Sequence, residues 1–126
     1  MKNHKSGIKK RILSFKYAFE GLFFIIMSEP NARLHIIATI LVLAAGFFFH
    51  LSYLEWCSII VIIALVWATE AFNTIIEKII DHLFPEHNES AKIIKDISAG
   101  AVLICAIAAL VIGLIIFLPK ILNFTF

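Results

Sequence analysis

Three stretches of the chain are apolar for long enough to matter in a bilayer: Leu34 to Phe49, Trp56 to Leu83, and Ser98 to Leu118. Crossing about 30 Å of hydrocarbon takes roughly 20 apolar residues in a helix. The pattern therefore predicts three transmembrane helices, at about 33–50, 56–83 and 97–118, the first slightly short and borrowing residues at either end. Pro30 and Pro119 are expected outside these spans, where a helix break is harmless. A different pattern precedes them. Ile8, Ile12, Phe15, Phe19, Phe23 and Ile26 recur at intervals of three and four, with Lys9, Lys16 and Glu20 largely off that stripe. This spacing predicts an amphipathic helix at about 7–28, lying in the membrane surface. A cleaved signal peptide is the competing reading, but no small-residue cleavage site follows a compact apolar core.

The second span breaks its own pattern. Its later half, "ATEAFNTIIEKIID", carries Glu70, Asn73, Glu77 and Asp81 among isoleucines. At 3.6 residues per turn these four fall within an arc of roughly 80°, a polar stripe on an apolar helix. An ionised carboxylate at the centre of a membrane helix costs about 3 kcal/mol on the insertion scale. Asp81 can escape that cost near the headgroups, whereas Glu70 lies about 16 Å further along the axis at 1.5 Å per residue. Three explanations fit: hydrogen-bonding glue between helices, a proton or ion path, or a metal-assisted enzyme site. Glu29, in "SEPNAR" at the entry of the first span, favours the last. Two carboxylates from different segments suit Mg²⁺, which takes oxygen ligands and shares them with substrate phosphates. Lys95 and Asp96 stand at the entry of the third span, where snorkelling and helix capping are the ordinary readings.

Composition sharpens this picture. Of 126 residues, 61% are hydrophobic and 16% charged, with mean hydropathy +0.96. Such a chain is an all-α membrane protein forming a single domain over 1–126, with no room for a separate soluble catalytic module. Cys57 and Cys105 lie in apolar sequence and make neither a disulfide framework nor a metal site. His35, His50, His82 and His87 have no zinc-like spacing, and no Walker-type or GxGxxG loop is present. Lys2, Lys5, Lys9, Lys10, Arg11, Lys16 and Arg33 precede the first span, and Lys78, Lys92 and Lys95 surround the second connection. The first connection, "HLSYLEW", has neither Lys nor Arg. By the positive-inside rule, the amino terminus and the open end of the stripe are expected in the cytoplasm, where ATP is. Ala101, Cys105, Ala109 and Gly113 give the third span a small-residue face suited to close helix packing. Three spans are few for enclosing a polar site, so an oligomer is expected. No nucleic-acid partner is expected.

The ordered set "SEPNAR", "EAFNTIIEKIID" and "AKIIKDISAGAVL" resembles the small bacterial integral membrane lipid kinases, which include diacylglycerol kinase and undecaprenol kinase. The likeness extends from about Gly7 to Lys120. It implies a homotrimer in the plasma membrane, each chain bearing three spans and a surface helix, with a cytoplasmic active site. It implies Glu70 as the base that takes a proton from a lipid hydroxyl attacking the γ-phosphate of ATP, with Asn73 orienting the polar groups. It implies Glu29 and Glu77 as ligands of the Mg²⁺ of MgATP, and Lys95 on the ATP phosphates. Asp96, Glu86, His87 and Tyr17 fall on the nucleotide side, with Lys10 or Arg11 as a further headgroup or phosphate contact. Arg33 joins Glu70 on the lipid side. "LSYLEW" and "GLIIFLPK" look more like the undecaprenol kinase branch, so undecaprenol is the expected substrate and diacylglycerol the alternative. A non-enzymatic ion-conducting or scaffolding oligomer is the remote third reading.

Overall fold

A computed structural model describes residues 4–124, with side chains from Gly7 onward. Lys2 lies outside the described residues, as does the side chain of Lys5. The described chain consists of four helices: α1 (His4–Ser28), α2 (Pro30–Phe48), α3 (Tyr53–Leu83) and α4 (Glu89–Phe124). The last three are long and apolar enough to cross a membrane, with 19, 31 and 36 residues. On α1, Ile8, Ile12, Phe15, Phe19 and Phe23 are all exposed, so the chain itself does not cover the apolar face of that helix.

Each junction has a local cause. A residue before proline is pushed out of the helical region. Glu29 accordingly sits extended (φ −106°, ψ 120°) between α1 and α2, with Pro30 opening α2. The Arg33 guanidinium turns back to the end of α1, donating to the carbonyls of Met27 (2.6 Å) and Ile26 (3.4 Å). This satisfies two of the carbonyls that a helix end leaves unpaired. At the next turn His50 adopts φ 51°. Ser52 and Glu55 then start α3 with reciprocal bonds, Ser52 N–H to Glu55 Oε2 (2.7 Å) and Glu55 N–H to Ser52 Oγ (3.4 Å). Asn88 caps α4, its Oδ1 accepting from Ala91 N–H at 3.0 Å.

The principal packing is the antiparallel hairpin of α3 and α4, with α2 against α3 and α1 against α2. Ion pairs clamp both ends of the hairpin. Near the connection Lys95 Nζ meets Asp81 Oδ1 at 2.8 Å; at the far end Lys120 Nζ meets Glu55 Oε1 at 3.1 Å. At this far end Leu51, Ile59 and Ile116 are buried, with Trp56, Ile63 and Phe117 packed around them. At 1.5 Å per residue, the 31 residues of α3 reach about 46 Å, well beyond the hydrocarbon thickness. One end of α3 must therefore leave the apolar layer, and the Glu77–Asp81 end is the polar one. α4 does not stop at Leu118 as the apolar pattern suggests. It continues through Pro119 to Phe124. Proline forfeits one hydrogen bond of the helix ladder there, a loss that spanning helices tolerate when neighbouring groups compensate.

Gly46 marks the closest approach of α2 to the start of α3. A Cβ placed there would lie 2.7 Å from Cη2 of Trp56 and 3.2 Å from Leu51 Cδ1. Gly46→Ala is expected to destabilise the protein by about 1–3 kcal/mol, the usual range for overpacking, as read by unfolding in detergent. Adding Trp56→Phe, which removes the clashing ring atoms, should recover part of that loss. An unchanged midpoint in Gly46→Ala would show that the helices are not held this close.

Candidate active site

The stripe on α3 is graded in burial, as a helix rising out of a packed interior should be. Glu70 is only 2% exposed and Asn73 7%, Glu77 is half-buried, and Asp81 is exposed. Asn73 is the hub. Its amide nitrogen donates to Glu77 Oε1 at 3.2 Å, and its Oδ1 lies 2.6 Å from the hydroxyl of Ser98 on α4. The Ser98 hydroxyl is also 2.8 Å from the Lys95 carbonyl, so its single proton is divided between two acceptors. Both polar atoms of the Asn73 amide are engaged, which sets its orientation and ties α3 to α4 at the level of the stripe.

Glu70 is handled differently. Its Oε2 is buried and makes no hydrogen bond within the chain. The imidazole of His35 on α2 faces it, with Nε2 at 3.6 Å, while Glu29 and Glu77 are its acidic neighbours. Glu70, Asn73 and His35 line a cavity of about 260 Å³ closed by Ala99, Val102 and Leu103 of α4. His35 also lines a larger apolar groove of about 480 Å³ that runs past Val42, Val66, Ala109 and Gly113. The carboxylate thus opens into a largely apolar cavity that adjoins the trough through His35 and Ala106.

A second polar region lies beyond the end of α3. Asp81, Glu86, His87, Lys92, Lys95 and Asp96 surround a cavity of about 300 Å³ at the α3–α4 connection. Its cations are held by neighbouring acids, Lys95 by Asp81 and Lys92 by Asp96, both at 2.8 Å. These are exposed pairs of the kind that a polyanionic ligand can displace at little cost. Of the residues expected from sequence, Glu86, His87, Lys95 and Asp96 come together here. Glu70, Asn73 and Glu77 gather on the stripe. Glu29 joins them from the side, its carboxylate 3.6 Å from Lys78 Nζ on α3. Lys10, Arg11 and Tyr17 are exposed on α1 and are brought to neither cavity, and Arg33 is occupied as the cap of α1.

Among the described residues, no three His, Cys, Asp or Glu side chains converge as a ready-made metal site. A metal held in part by substrate phosphates needs only one or two protein carboxylates. The all-oxygen pair Glu29 and Glu77, flanking Glu70, fits that requirement. Sequence reasoning passed over two residues of this region. Ser98 could have been found as a lone hydroxyl in the first turns of an apolar span, three residues beyond Lys95. His35 was weighed only as a zinc ligand, and nothing in α2 reveals which helix face it occupies.

A spanning helix with a buried, unsatisfied carboxylate, open cavities beside it and a charged lip at its end is the layout of a membrane-embedded enzyme, not of a passive bundle. The chain belongs to the prokaryotic diacylglycerol kinase family, whose profile matches residues 16–117, and it is a lipid kinase. It is 37% identical to an undecaprenol kinase of Bacillus subtilis (strain 168) over 119 residues, covering 94% of this chain and 97% of that protein. It is 34% identical to a diacylglycerol kinase of Synechocystis over 113 residues, 89% of this chain and 65% of that protein. Identity to the diacylglycerol kinase of Escherichia coli K12 is 26% over 111 residues, covering 88% and 91%.

The hub generates a prediction. Ser98→Ala leaves a buried Asn73 oxygen without its donor, an unsatisfied group costing about 1–3 kcal/mol. Stability in detergent and turnover should both fall, and Ser98→Thr, which keeps the hydroxyl, should retain most of each. Equal behaviour of the two variants would show that the hydroxyl is not the anchor of Asn73.

Proposed function

We propose that the protein transfers the γ-phosphoryl group of ATP to the hydroxyl of a membrane lipid alcohol in a Mg²⁺-dependent reaction, with undecaprenol as the acceptor. The observation that carries this reading is Glu70. A carboxylate serving as helix glue would be hydrogen-bonded, as Asn73 is, whereas Glu70 keeps a buried oxygen unbonded beside an apolar trough. A general base needs such a free lone pair within hydrogen-bond reach of the proton it removes. The lipid's hydrocarbon would follow the apolar surface and bring its hydroxyl to Glu70 Oε2. The hydroxyl oxygen attacks phosphorus, its proton passes to Glu70, and ADP departs.

Phosphoryl transfer depends on positioning and charge neutralisation more than on covalent chemistry. Glu29 and Glu77 would hold the Mg²⁺ of MgATP, which when bound neutralises phosphate charge. Asn73 holds Glu77 in place and Lys95 exchanges Asp81 for phosphate oxygens. Glu86, His87 and Asp96 would form the nucleotide side of the lip; Lys10, Arg11 and Tyr17, which reach neither cavity of their own chain, would come to a lip from the α1 of a neighbouring chain, and Arg33 would exchange its α1 carbonyls for the lipid side. The small-residue stripe of α4, of which Ala101 is exposed and Cys105, Ala109 and Gly113 are half-buried, supports close packing against further helices, and the assembly proposed is a homotrimer. The distribution of Lys and Arg supports a plasma-membrane orientation with the amino terminus and the lip in the cytoplasm.

The choice of undecaprenol rests on the nearly full-length match to an undecaprenol kinase, against lower identity to the two diacylglycerol kinases. Purified protein in one detergent, given labelled ATP and either lipid, tests it. Phosphate should appear on undecaprenol with kcat/KM at least about tenfold above that on diacylglycerol, a difference of about 1.4 kcal/mol in transition-state binding. The opposite preference would make the protein a diacylglycerol kinase, and transfer to neither would overturn the reading.

A further inference from the structure

We propose that His35 is a positioning residue for phosphoryl transfer, its Nε2–H holding the Glu70 carboxylate in the orientation that receives the substrate proton. The inference rests on the reading of Glu70 as the base. Nothing in the spacing of the sequence assigns His35 a role, and its place in the fold supplies one. Its Nε2 stands 3.6 Å from Glu70 Oε2, slightly longer than a hydrogen bond and short enough to close by a small side-chain shift. A catalytic contact of this kind is often long before substrate arrives.

The surroundings of His35 are built to hold it. Trp67, one turn before Glu70 on α3, presents its ring edge-on to the imidazole, with centroids 6.3 Å apart. The Trp67 indole N–H donates to Thr39 Oγ1 at 3.2 Å, and the Thr39 hydroxyl donates to the His35 carbonyl at 2.7 Å. This hydrogen-bond chain fixes the Trp67 ring of α3 against the backbone of α2 at His35, and the ring in turn packs against the imidazole. The side chain of Glu70 is 3% exposed and that of His35 21%, so the pair is shielded from competing water. Glu29 and Glu77, the acidic neighbours of Glu70, offer it no donor. Their repulsion would leave the carboxylate poorly fixed without a donor. His35 and Ala106 line both the Glu70 cavity and the apolar groove, and His35 is the polar one of the two, which puts it at the point where a lipid hydroxyl would have to turn in.

The role is geometric, so the test compares side chains that do and do not place a donor at the Nε2 position. The terminal amide nitrogen of Gln reaches about as far as Nε2; that of Asn stops near Nδ1. In full-length protein in detergent, His35→Leu should lower kcat about tenfold or more while leaving MgATP affinity unchanged, the mark of an interaction used mainly in the transition state. His35→Gln should return to within about threefold of wild type, and His35→Asn should resemble His35→Leu. A purely structural role would show no such ordering, and the Gln–Asn comparison holds even if His35→Leu fails to fold. A labelled-phosphate assay on the Glu70→Gln background completes the test. There, His35→Leu should cost less than about twofold more, because two groups acting as one unit are not additive. Full turnover in His35→Leu with Glu70→Gln inactive, or an equal loss on both backgrounds, would overturn the proposal while sparing Glu70 as base. Full turnover in Glu70→Gln alone would remove the base and the proposal with it.

Discussion

A carboxylate in the interior of a membrane helix is expensive, and the architecture of this protein follows from housing one. Hydrocarbon offers no hydrogen bonds, so polar groups at membrane depth must find partners within the protein or face a polar cavity. Asn73 does the first, bridging Glu77 and Ser98. Glu70 does neither within the chain: one oxygen is buried and unbonded, facing a largely apolar cavity beside His35. Together these choices turn about two turns of α3 into a wall with a single unbonded edge. An unmet carboxylate of this kind persists only when the rest of the fold over-determines its place, and a functional site is where such a cost is retained.

The rest of the fold supplies that determination. Pro30 forces the break that carries Glu29 to the flank of α3, and Arg33 seals the end of α1 so that the break is stable. The hairpin of α3 and α4 is held at one end by Lys95–Asp81 and at the other by Lys120–Glu55, which fixes the register that brings Ser98 to Asn73. The clamp at the lip is also the one that a polyphosphate would compete for. Assembly of the hairpin and the nucleotide contact proposed for the lip thus share the same lysine.

Much of this was legible in the sequence because two periodicities were strong. Three long apolar runs announced the spanning helices, and the recurrence of Glu70, Asn73, Glu77 and Asp81 announced a polar face that no lipid contact explains. The clustering of Glu86, His87, Lys95 and Asp96 followed from their closeness to one connection. His35 and Ser98 were harder to read, since each acts across an interface between helices and its meaning depends on a facing residue 25 or more positions away. The end of α4 was misjudged for a simpler reason. Proline normally stops a helix, and the pattern of apolar residues does not say when a helix continues regardless. The residues of α1 named for the nucleotide, Lys10, Arg11 and Tyr17, are exposed on their own helix and converge on neither cavity of this chain.

The central claim is a division of labour along α3: Glu70 handles the proton, and Glu77, with Glu29, handles the metal. Calorimetric titration of nucleotide at several Mg²⁺ concentrations separates the two directly. Glu77→Gln and Glu29→Gln should each bind MgATP more weakly and require more Mg²⁺ for half-saturation, because each removes one anionic oxygen donor from the same ion. Glu70→Gln should bind MgATP with the wild-type Mg²⁺ dependence. Normal Mg²⁺ dependence in Glu77→Gln, together with lost MgATP binding in Glu70→Gln, would contradict the assignment.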